Sequence, residues 1–217
     1  MIRGFIFAVF LVVVSSTVAM SQTKTDYNKW EVYGGYSNNQ VDTGIQSGIP
    51  FRSFFDDRRS FNGFEASGVY NFGRFFGVKG DISGTYNNTR VTFTIPGPAN
   101  LPNTVSFGTK NSLYNFLGGI QIKDNKSGSR FKPFAHAMIG AGHGITKIGS
   151  VDCPGFADCS SVVDNSETGF AGAFGGGLDI RINNHLDFRA IQVDYNPIGF
   201  NSGTQNNVRF GIGLVFK

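Results

Sequence analysis

Alternating apolar and polar residues, interrupted by a tight turn, dominate the stretch Gly169–Tyr195. Its first half places glycine, alanine or charge on one parity and apolar residues on the other: Phe170, Phe174, Leu178, Ile180 and Ile182. A period of two residues is that of a β-strand with one apolar face. Asn183-Asn184 then predicts a tight turn, and Leu186–Tyr195 predicts a returning strand. The stretch is therefore a predicted β-hairpin, whose apolar face contacts either a protein core or lipid.

The same alternation recurs along the chain and brings the number of predicted strands to eight. The six further strands are Trp30–Ser37, Gly63–Phe72, Phe75–Asn87, Ser112–Ile122, Phe131–Gly142 and Asn207–Phe216. In the seventh strand the apolar residues change parity partway along. A β-bulge near Arg189-Ala190 would restore a single apolar face.

Short and long connections alternate between these strands. The short ones are Gly73-Arg74, Lys123–Arg130 and Asn183–His185, whereas the connections one to two, three to four, five to six and seven to eight are long or irregular. All long loops then lie at one end, which is typical of outer-membrane barrels with short periplasmic turns and periplasmic termini. A lipocalin-like soluble barrel would need an apolar interior and a polar exterior. Here a continuous aromatic face opposes glycine and charge, which favours an all-β, eight-stranded, antiparallel up-and-down transmembrane β-barrel.

The first residues indicate export. Arg3 precedes the apolar run Gly4–Val14, and small residues follow at Ser15–Ala19, which predicts a signal peptide over residues 1–21. Cleavage before Gln22 or after Ala19 fits this pattern, and the barrel domain is predicted over residues 22–217. The apolar run is too short for a membrane-spanning helix, which needs about 20 residues. The expected location is the outer membrane of a Gram-negative bacterium. The net charge of +4 is scattered along the chain, so no nucleic-acid partner is expected.

With strands and loops assigned, the chain resembles the OmpA-type outer-membrane β-barrel family over Trp30–Lys217. The resemblance rests on GGGLD at Gly175–Asp179, on Asp179 ten residues before Arg189, and on the alternating end FGIGLVF. It implies a salt-bridged lumen containing Lys79, Asp179 and Arg189. It also implies that the barrel assembly machinery reads the outward residues of the last strand: Val208, Phe210, Ile212, Leu214 and Phe216. In this chain Lys217 follows the terminal aromatic residue.

A lumen cluster also follows from physical chemistry. A charge that faces lipid near the midplane costs a few kcal/mol, and eight strands leave an interior that side chains can fill. Buried charges need partners of opposite sign, and both signs are available. The residues predicted to point inward are Glu65, Lys79, Asp81, His136, Asp179, Arg181 and Arg189. A lumen packed in this way argues against a wide pore.

Cysteines and histidines are the remaining candidates for chemistry. Cys153 and Cys159 lie in the loop Val151–Ser161 and predict a disulfide in an exported protein; a metal site is the alternative, without a nearby histidine pair to support it. Some eight-stranded barrels that remove acyl chains from lipid A carry a serine two residues after a histidine. His136, His143 and His185 lack that serine. The chain is therefore expected to have no catalytic site and no cofactor.

The expected function is structural or is carried by the surface loops in adhesion or recognition. The candidate contact residues of the first loop are Phe54, Phe55, Asp56, Asp57, Arg58 and Arg59. Expected partners are outer-membrane lipids, lipopolysaccharide, the barrel assembly machinery and an extracellular ligand whose class the sequence leaves open. Two alternatives remain at this point. One is a narrow or gated pore for small solutes, and the less favoured one is a lipid A-modifying enzyme.

Overall fold

The computed structural model describes residues 27–42, 58–95, 103–126, 129–152, 163–201 and 203–217. These residues form a closed barrel in which each strand pairs with its neighbours in the chain. The strands are β1 (Trp30–Asp42), β2 (Arg58–Asn71), β3 (Phe76–Ile95), β4 (Asn103–Lys123), β5 (Phe131–Asp152), β6 (Val163–Arg181), β7 (Leu186–Phe200) and β8 (Gly203–Phe216).

Closure is completed by antiparallel pairing of the first and last strands, from Val32 opposite Phe216 to Gln40 opposite Val208. Every other neighbouring pair is antiparallel as well, which confirms the predicted eight-stranded up-and-down barrel. We call the end with the connections 72–75, 124–130 and 182–185 the turn end, and the opposite end the loop end. Within the described ranges, no helix combines the length and the apolar character needed to cross a bilayer.

Strands extend further toward the loop end than the sequence pattern predicts. Strand β4 begins at Asn103 rather than Ser112, and its pairing with β3 continues to Ile95 opposite Asn103. The pattern stopped where outward residues become polar, but the backbone ladder does not depend on apolar side chains. The prediction that Arg58 and Arg59 lie in the β1–β2 loop is therefore wrong, because both belong to β2.

The connection between β7 and β8 also differs from the prediction. It was expected to be long or irregular, yet only Asn201 and Ser202 separate the two strands. Gly203 follows with a φ of 136°, a backbone conformation that glycine adopts readily and other residues rarely do. The predicted alternation of short and long connections thus fails at this last hairpin.

Strand β7 has the bulge that its change of parity predicts. Asp179 of β6 is opposite Arg189, but the preceding Leu178 is opposite Ile191, so Ala190 is the extra residue. The pairing with β8 shifts at the same place. Because of the bulge, Arg189 and Asp194 both point inward although their separation is odd.

Outward side chains form an apolar belt around the barrel. Phe170 is 66% exposed, Phe116 57% and Trp30 52%. Aromatic and aliphatic residues from every strand contribute to it, and a patch of this size is far larger than those on soluble monomers. An environment of lipid removes this surface from water, whereas an aqueous one would leave it exposed.

Inside the barrel, side chains form two layers. Along β5 the inward residues change from Lys132 and His136 near the turn end to Met138 further along. Above the charged region lies what we call the apolar layer, which consists of Val41, Phe61, Leu113, Leu117, Met138, Ala171, Ala173 and Ile198. The interpretation of the inward face as glycine and charge is wrong for this layer, because barrel closure buries these apolar residues against one another.

Candidate functional site in the barrel interior

Arg209 of β8 is the centre of the charged interior. Its Nη2 lies 2.7 Å from Asp194 Oδ2 on β7, and its Nη1 lies 2.8 Å from Asp81 Oδ1 on β3. Nη1 also donates to Ser83 Oγ at 3.2 Å, and Nη2 is 3.7 Å from Glu65 Oε1 on β2. One buried guanidinium therefore connects carboxylates from three strands, which suits the planar, five-donor geometry of arginine.

A second cation and a histidine complete this group. Lys79 Nζ lies 3.9 Å from Asp81 Oδ2 and 3.3 Å from His136 Nδ1. The other ring nitrogen of His136, Nε2, is 2.8 Å from Asp194 Oδ1. Both ring nitrogens of His136 thus contact the network. Gln192 links the group by donating to Glu65 and Asp194, at 2.7 Å each.

Asp179 of β6 joins two cations. It accepts from Arg189 Nε at 2.8 Å through Oδ1, and from Lys123 Nζ at 3.0 Å through Oδ2. Lys123 in turn donates to Glu31 Oε2 at 2.6 Å. The structure therefore brings Asp179 and Arg189 together, as predicted for the lumen, but it also gives Asp179 a second cation from β4.

Arg189 lies between two aromatic rings. Its Cζ is 4.3 Å from the ring centroid of Tyr33 and 4.1 Å from that of Phe134. Its Nη1 donates to Gln192 Oε1 at 2.7 Å, which connects it to the group around Arg209. The rings fix the plane of the guanidinium, and cation–π attraction adds to the ion pair with Asp179.

The network continues to the turn end. Asp187 of β7 accepts from Lys217 Nζ at 2.5 Å and lies 3.5 Å from Lys132 Nζ. The residue after the terminal aromatic thus contributes a buried charge. The carboxylates of these pairs number six: Glu31, Glu65, Asp81, Asp179, Asp187 and Asp194. Their cations also number six: Lys79, Lys123, Lys132, Arg189, Arg209 and Lys217.

We call these twelve charged residues, together with His136 and Gln192, the network. The equal numbers of carboxylates and cations determine its net charge. With His136 neutral, its formal charge is zero. Each charged side chain has at least one opposite charge within 4.0 Å, which offsets the cost of removing it from water. A matched, interconnected set of this kind holds the strands in one arrangement.

Glycine on the inner wall makes room for the network. A Cβ at Gly175 would lie 2.4 Å from Asp194 Oδ1, and one at Gly177 would lie 2.9 Å from Phe134 Cζ. Both distances are below ordinary van der Waals contact. At both positions a backbone carbonyl oxygen of β7 would be closer still, at 2.1 Å. The Gly175–Asp179 segment therefore carries glycines where the neighbouring backbone, as well as these side chains, approaches β6.

The structure also assigns positions to the other predicted lumen residues. Glu65, Lys79, Asp81 and His136 are buried in the interior. Arg181 lies outside the buried cluster, because it is half-buried at the end of β6 and donates to Asn184 Oδ1 in the turn. Its parity is inward as predicted, but β6 ends there, so its assignment to the lumen cluster is wrong.

Several network members are absent from the predicted set: Glu31, Lys123, Lys132, Asp187, Gln192, Asp194, Arg209 and Lys217. Arg209 alternates with the apolar residues of β8, so its parity alone indicates an inward position. Asp194 acquires its inward parity only after the bulge. Lys123 was assigned to a turn, although it is the last residue of β4.

A further ion pair links the β2–β3 and β4–β5 connections at the turn end. Arg74 Nε and Nη2 donate to Asp124 Oδ1 and Oδ2, both at 2.9 Å. These hydrogen bonds lower the pKa of Asp124 to about 2. The pair is solvent-exposed, so it orients the two connections and contributes little to stability.

Some of the remaining predicted site residues lie in the barrel, and the others lie outside the residues that the structure describes. The C-terminal residues Ile212, Leu214 and Phe216 are exposed on the outer surface, and Val208 and Phe210 are half-buried. Arg58 Nη1 donates to the carbonyl oxygens of Gln40 and Asn206, so it joins β2 to β1 and β8. Outside the described residues lie the predicted signal peptide, Phe54, Phe55, Asp56, Asp57, Cys153 and Cys159.

A cavity of about 420 Å³ lies at the loop end of the barrel, above the apolar layer. We call it the cup. Its lining includes the apolar-layer residues Phe61 and Leu113, and polar residues such as Asn111 and Asn165. Among the described residues, no group of three or more histidine, cysteine, aspartate or glutamate side chains could hold a metal ion. The interior thus offers an ion-pair network and a cup as its candidate sites.

Comparison with solved structures identifies barrels of the same fold. The attachment invasion locus protein of Yersinia pestis, Ail, solved in complex with the heparin analogue sucrose octasulfate, superposes with a TM-score of 0.53 at 18% identity. The match covers 86% of this chain and 97% of that one. Neisserial surface protein A superposes with a TM-score of 0.50 at 11% identity, over 88% and 97% of the two chains. At identities this low, the two superpositions establish a shared fold and nothing further.

Sequence comparison establishes the family. No curated protein sequence matches the chain. The family model of the outer membrane protein beta-barrel domain matches residues 7–216, nearly the whole chain. The chain therefore belongs to the outer membrane protein beta-barrel family and is a protein of the bacterial outer membrane, with its turn end periplasmic and its loop end extracellular.

Proposed function

We propose that this protein is a non-catalytic outer-membrane barrel with a closed lumen, which acts through its extracellular end. The observation that carries the proposal is the filled interior. The network occupies the periplasmic part of the lumen, and the apolar layer lies above it. The surfaces that remain for function lie outside these two layers: the loops, the cup and the lipid-facing belt.

The charge network opposes a pore. A continuous water path past Arg209 would require Arg209 to leave Asp81, Asp194 or Glu65, which come from three different strands. Separating buried opposite charges without new partners is costly. A gated pore would need a stimulus that supplies this free energy.

A second barrier is the apolar layer. Met138 and Ile198 are 1% and 0% exposed, and Leu117 and Ala171 pack in the same cluster. Ions and polar solutes cross a tightly packed apolar constriction poorly, because it offers them no replacement for water. The two layers are in series, so each would have to open for conduction.

Contacts of His136 also favour a non-catalytic role. Its Nε2 contacts Asp194 and its Nδ1 contacts Lys79, and it lies buried inside the network. A general base needs one ring nitrogen directed at a nucleophile or a substrate. This histidine instead connects an anion and a cation.

Partners follow from the outer surface. The apolar belt contacts the lipids of the outer membrane. We extend this to lipopolysaccharide and to an extracellular ligand at the loop end, since loops on a rigid barrel are where recognition generally occurs. Binding of a heparin analogue belongs to Ail, and the same probe is a reasonable first test for the loops of this chain.

Conductance in a planar lipid bilayer tests the closed lumen. The refolded chain is expected to give no discrete current steps, because the network and the apolar layer both block the lumen. A wide general porin in the same bilayer serves as positive control, and migration of the unboiled sample on a gel verifies that the barrel is folded. Reproducible single-channel steps from the folded protein would show a pore and contradict the proposal.

A further inference from the structure

The cup is built by lumen-facing residues of all eight strands. Its lining includes Val41 of β1, Arg59 of β2, Phe200 of β7 and Gln205 of β8 together with residues of β3 to β6. A volume of about 420 Å³ is within the range of pockets that hold small molecules. The site is formed by strand residues, so its shape is set by the barrel wall.

Apolar side chains form the floor of the cup. Phe61 and Leu113 are 8% and 3% exposed and belong to the apolar layer, as does Val41. Phe200 is partly buried and packs against the same layer. The floor therefore offers an apolar surface with aromatic rings, which the C–H face of a ligand can contact.

The wall of the cup carries a continuous row of neutral hydrogen-bonding groups. In the strand register, Asn87 is opposite Asn111, Asn111 is opposite Thr146, and Thr146 is opposite Asn165. Neighbouring strands are about 4.8 Å apart, so this row places an amide or hydroxyl at each such step around the wall. Asn87 already donates to Ser60 O and accepts from Thr89 Oγ1, so the row reaches a ligand mainly through the other three residues. Amides and hydroxyls both donate and accept hydrogen bonds.

Charge in the cup is sparse and balanced. Its lining contains one cation, Arg59, and one carboxylate, Glu167. Arg59 is exposed, whereas Glu167 is half-buried and accepts from the backbone N of Asn201. A strongly charged ligand would meet one opposite and one like charge. The cup therefore suits a ligand without net charge.

We propose that the cup binds a neutral carbohydrate of one or two sugar units. Sugar hydroxyls both donate and accept, as the amides and hydroxyls of the wall do, and the C–H face of a pyranose ring matches the apolar floor. An alkyl chain would fill the same volume but would displace water from the polar row without replacing its hydrogen bonds, which is unfavourable. The inference deepens the proposed function by naming a ligand class at the extracellular end.

Saturation-transfer NMR on the refolded full chain in sugar-free lipid nanodiscs tests the proposal. The probes are maltose and N,N′-diacetylchitobiose, with citrate and lysine as charged comparisons. At least one saccharide is expected to bind saturably with a Kd in the millimolar range or tighter, and more tightly than either charged probe.

Three variants locate the site. Asn111→Leu removes one hydrogen-bonding group from the wall and is expected to weaken saccharide binding about fivefold or more. Thr109→Trp fills the cup and is expected to abolish binding. Asn88→Leu on β3 is the matched control, because Asn88 is exposed on the outward face beside Asn87. It is expected to change the Kd by less than about twofold.

Three results would overturn the proposal. They are the absence of saturable binding of either saccharide up to about 50 mM, tighter binding of citrate or lysine, and an equal loss of binding in Asn88→Leu and Asn111→Leu. Each variant is first shown to be folded by its migration on a gel without boiling. The conductance result is independent of these outcomes, so failure of the cup proposal and failure of the closed lumen can be told apart.

Discussion

Replacement of Arg209 by methionine is expected to destabilise the barrel by about 3–5 kcal/mol, the range for removing one partner of a buried ion pair. The fully buried guanidinium contacts Asp81, Asp194 and Glu65. Without it, Lys79 is the cation that remains within 4.0 Å of Asp81, and Asp194 keeps His136 and Gln192 as its contacts. Methionine retains much of the volume, so the loss measures mainly the uncompensated carboxylates.

Lys147→Met provides the matched control for this change. Lys147 Nζ lies 2.7 Å from Asp164 Oδ2, the same distance as Arg209 Nη2 from Asp194 Oδ2, but its pair is more than half exposed. The control is expected to lose less than about 1 kcal/mol. Reversible urea unfolding of the refolded proteins in lipid vesicles gives both free energies. Equal losses in the two variants would mean that Arg209 is not a central element of the network.

Asp179 and Arg189 are expected to show the second large effect. Asp179→Asn leaves Arg189 with Gln192 and the two aromatic rings, and Arg189→Met leaves Asp179 with Lys123. Each single change unbalances the buried charge and is expected to cost about 3–5 kcal/mol. The double variant restores neutrality, so its loss should be smaller than the sum of the two by about 1–3 kcal/mol.

The same unfolding measurement on all four proteins of the cycle gives the coupling energy. Lys123 shares Asp179, so the coupling is expected to be smaller than it would be for an isolated pair. Lys123→Met in the Arg189→Met background tests this sharing, because it removes the cation that still contacts Asp179 after the first change. Additive losses for Asp179→Asn and Arg189→Met would show that the two residues do not interact in the lumen.

Much of the barrel could be predicted because strand periodicity is a local property. Parity identified the apolar belt, the eight strands and the inward position of Asp179. The change of parity in β7 predicted the bulge that the pairing of Leu178 with Ile191 contains. These features depend on neighbouring residues within one strand, and they can therefore be predicted from the sequence.

Cross-lumen contacts could not be predicted in the same way. Arg209 and Asp81 are 128 residues apart, and they meet because β8 closes onto β1 with a particular stagger. Stagger is a property of the whole barrel, and parity does not determine it. For the same reason the sequence identified inward charges but, apart from Asp179 with Arg189, not which of them pair, and it missed Lys123 as the second cation on Asp179.

The strand segments near the loop end were not predicted for a different reason. Asn111 and Asn165 continue the inward rows of their strands, yet the outward residues beside them are no longer apolar. The alternation that marked the strands therefore faded before the strands ended. Extending each inward row beyond the apolar belt would have located the wall of the cup.

Thiol labelling along the lumen tests whether the interior of the barrel is closed. In a chain with Cys153→Ser and Cys159→Ser, single cysteines replace Met138 in the apolar layer and Asn111 in the cup. A polar, membrane-impermeant maleimide is added to both sides of the refolded barrel in vesicles. Labelling is expected to be rapid at position 111 and at least about 100-fold slower at position 138, because buried thiols are unreactive. Comparable rates at the two positions would mean that water and reagent reach the middle of the barrel, and would contradict a closed lumen.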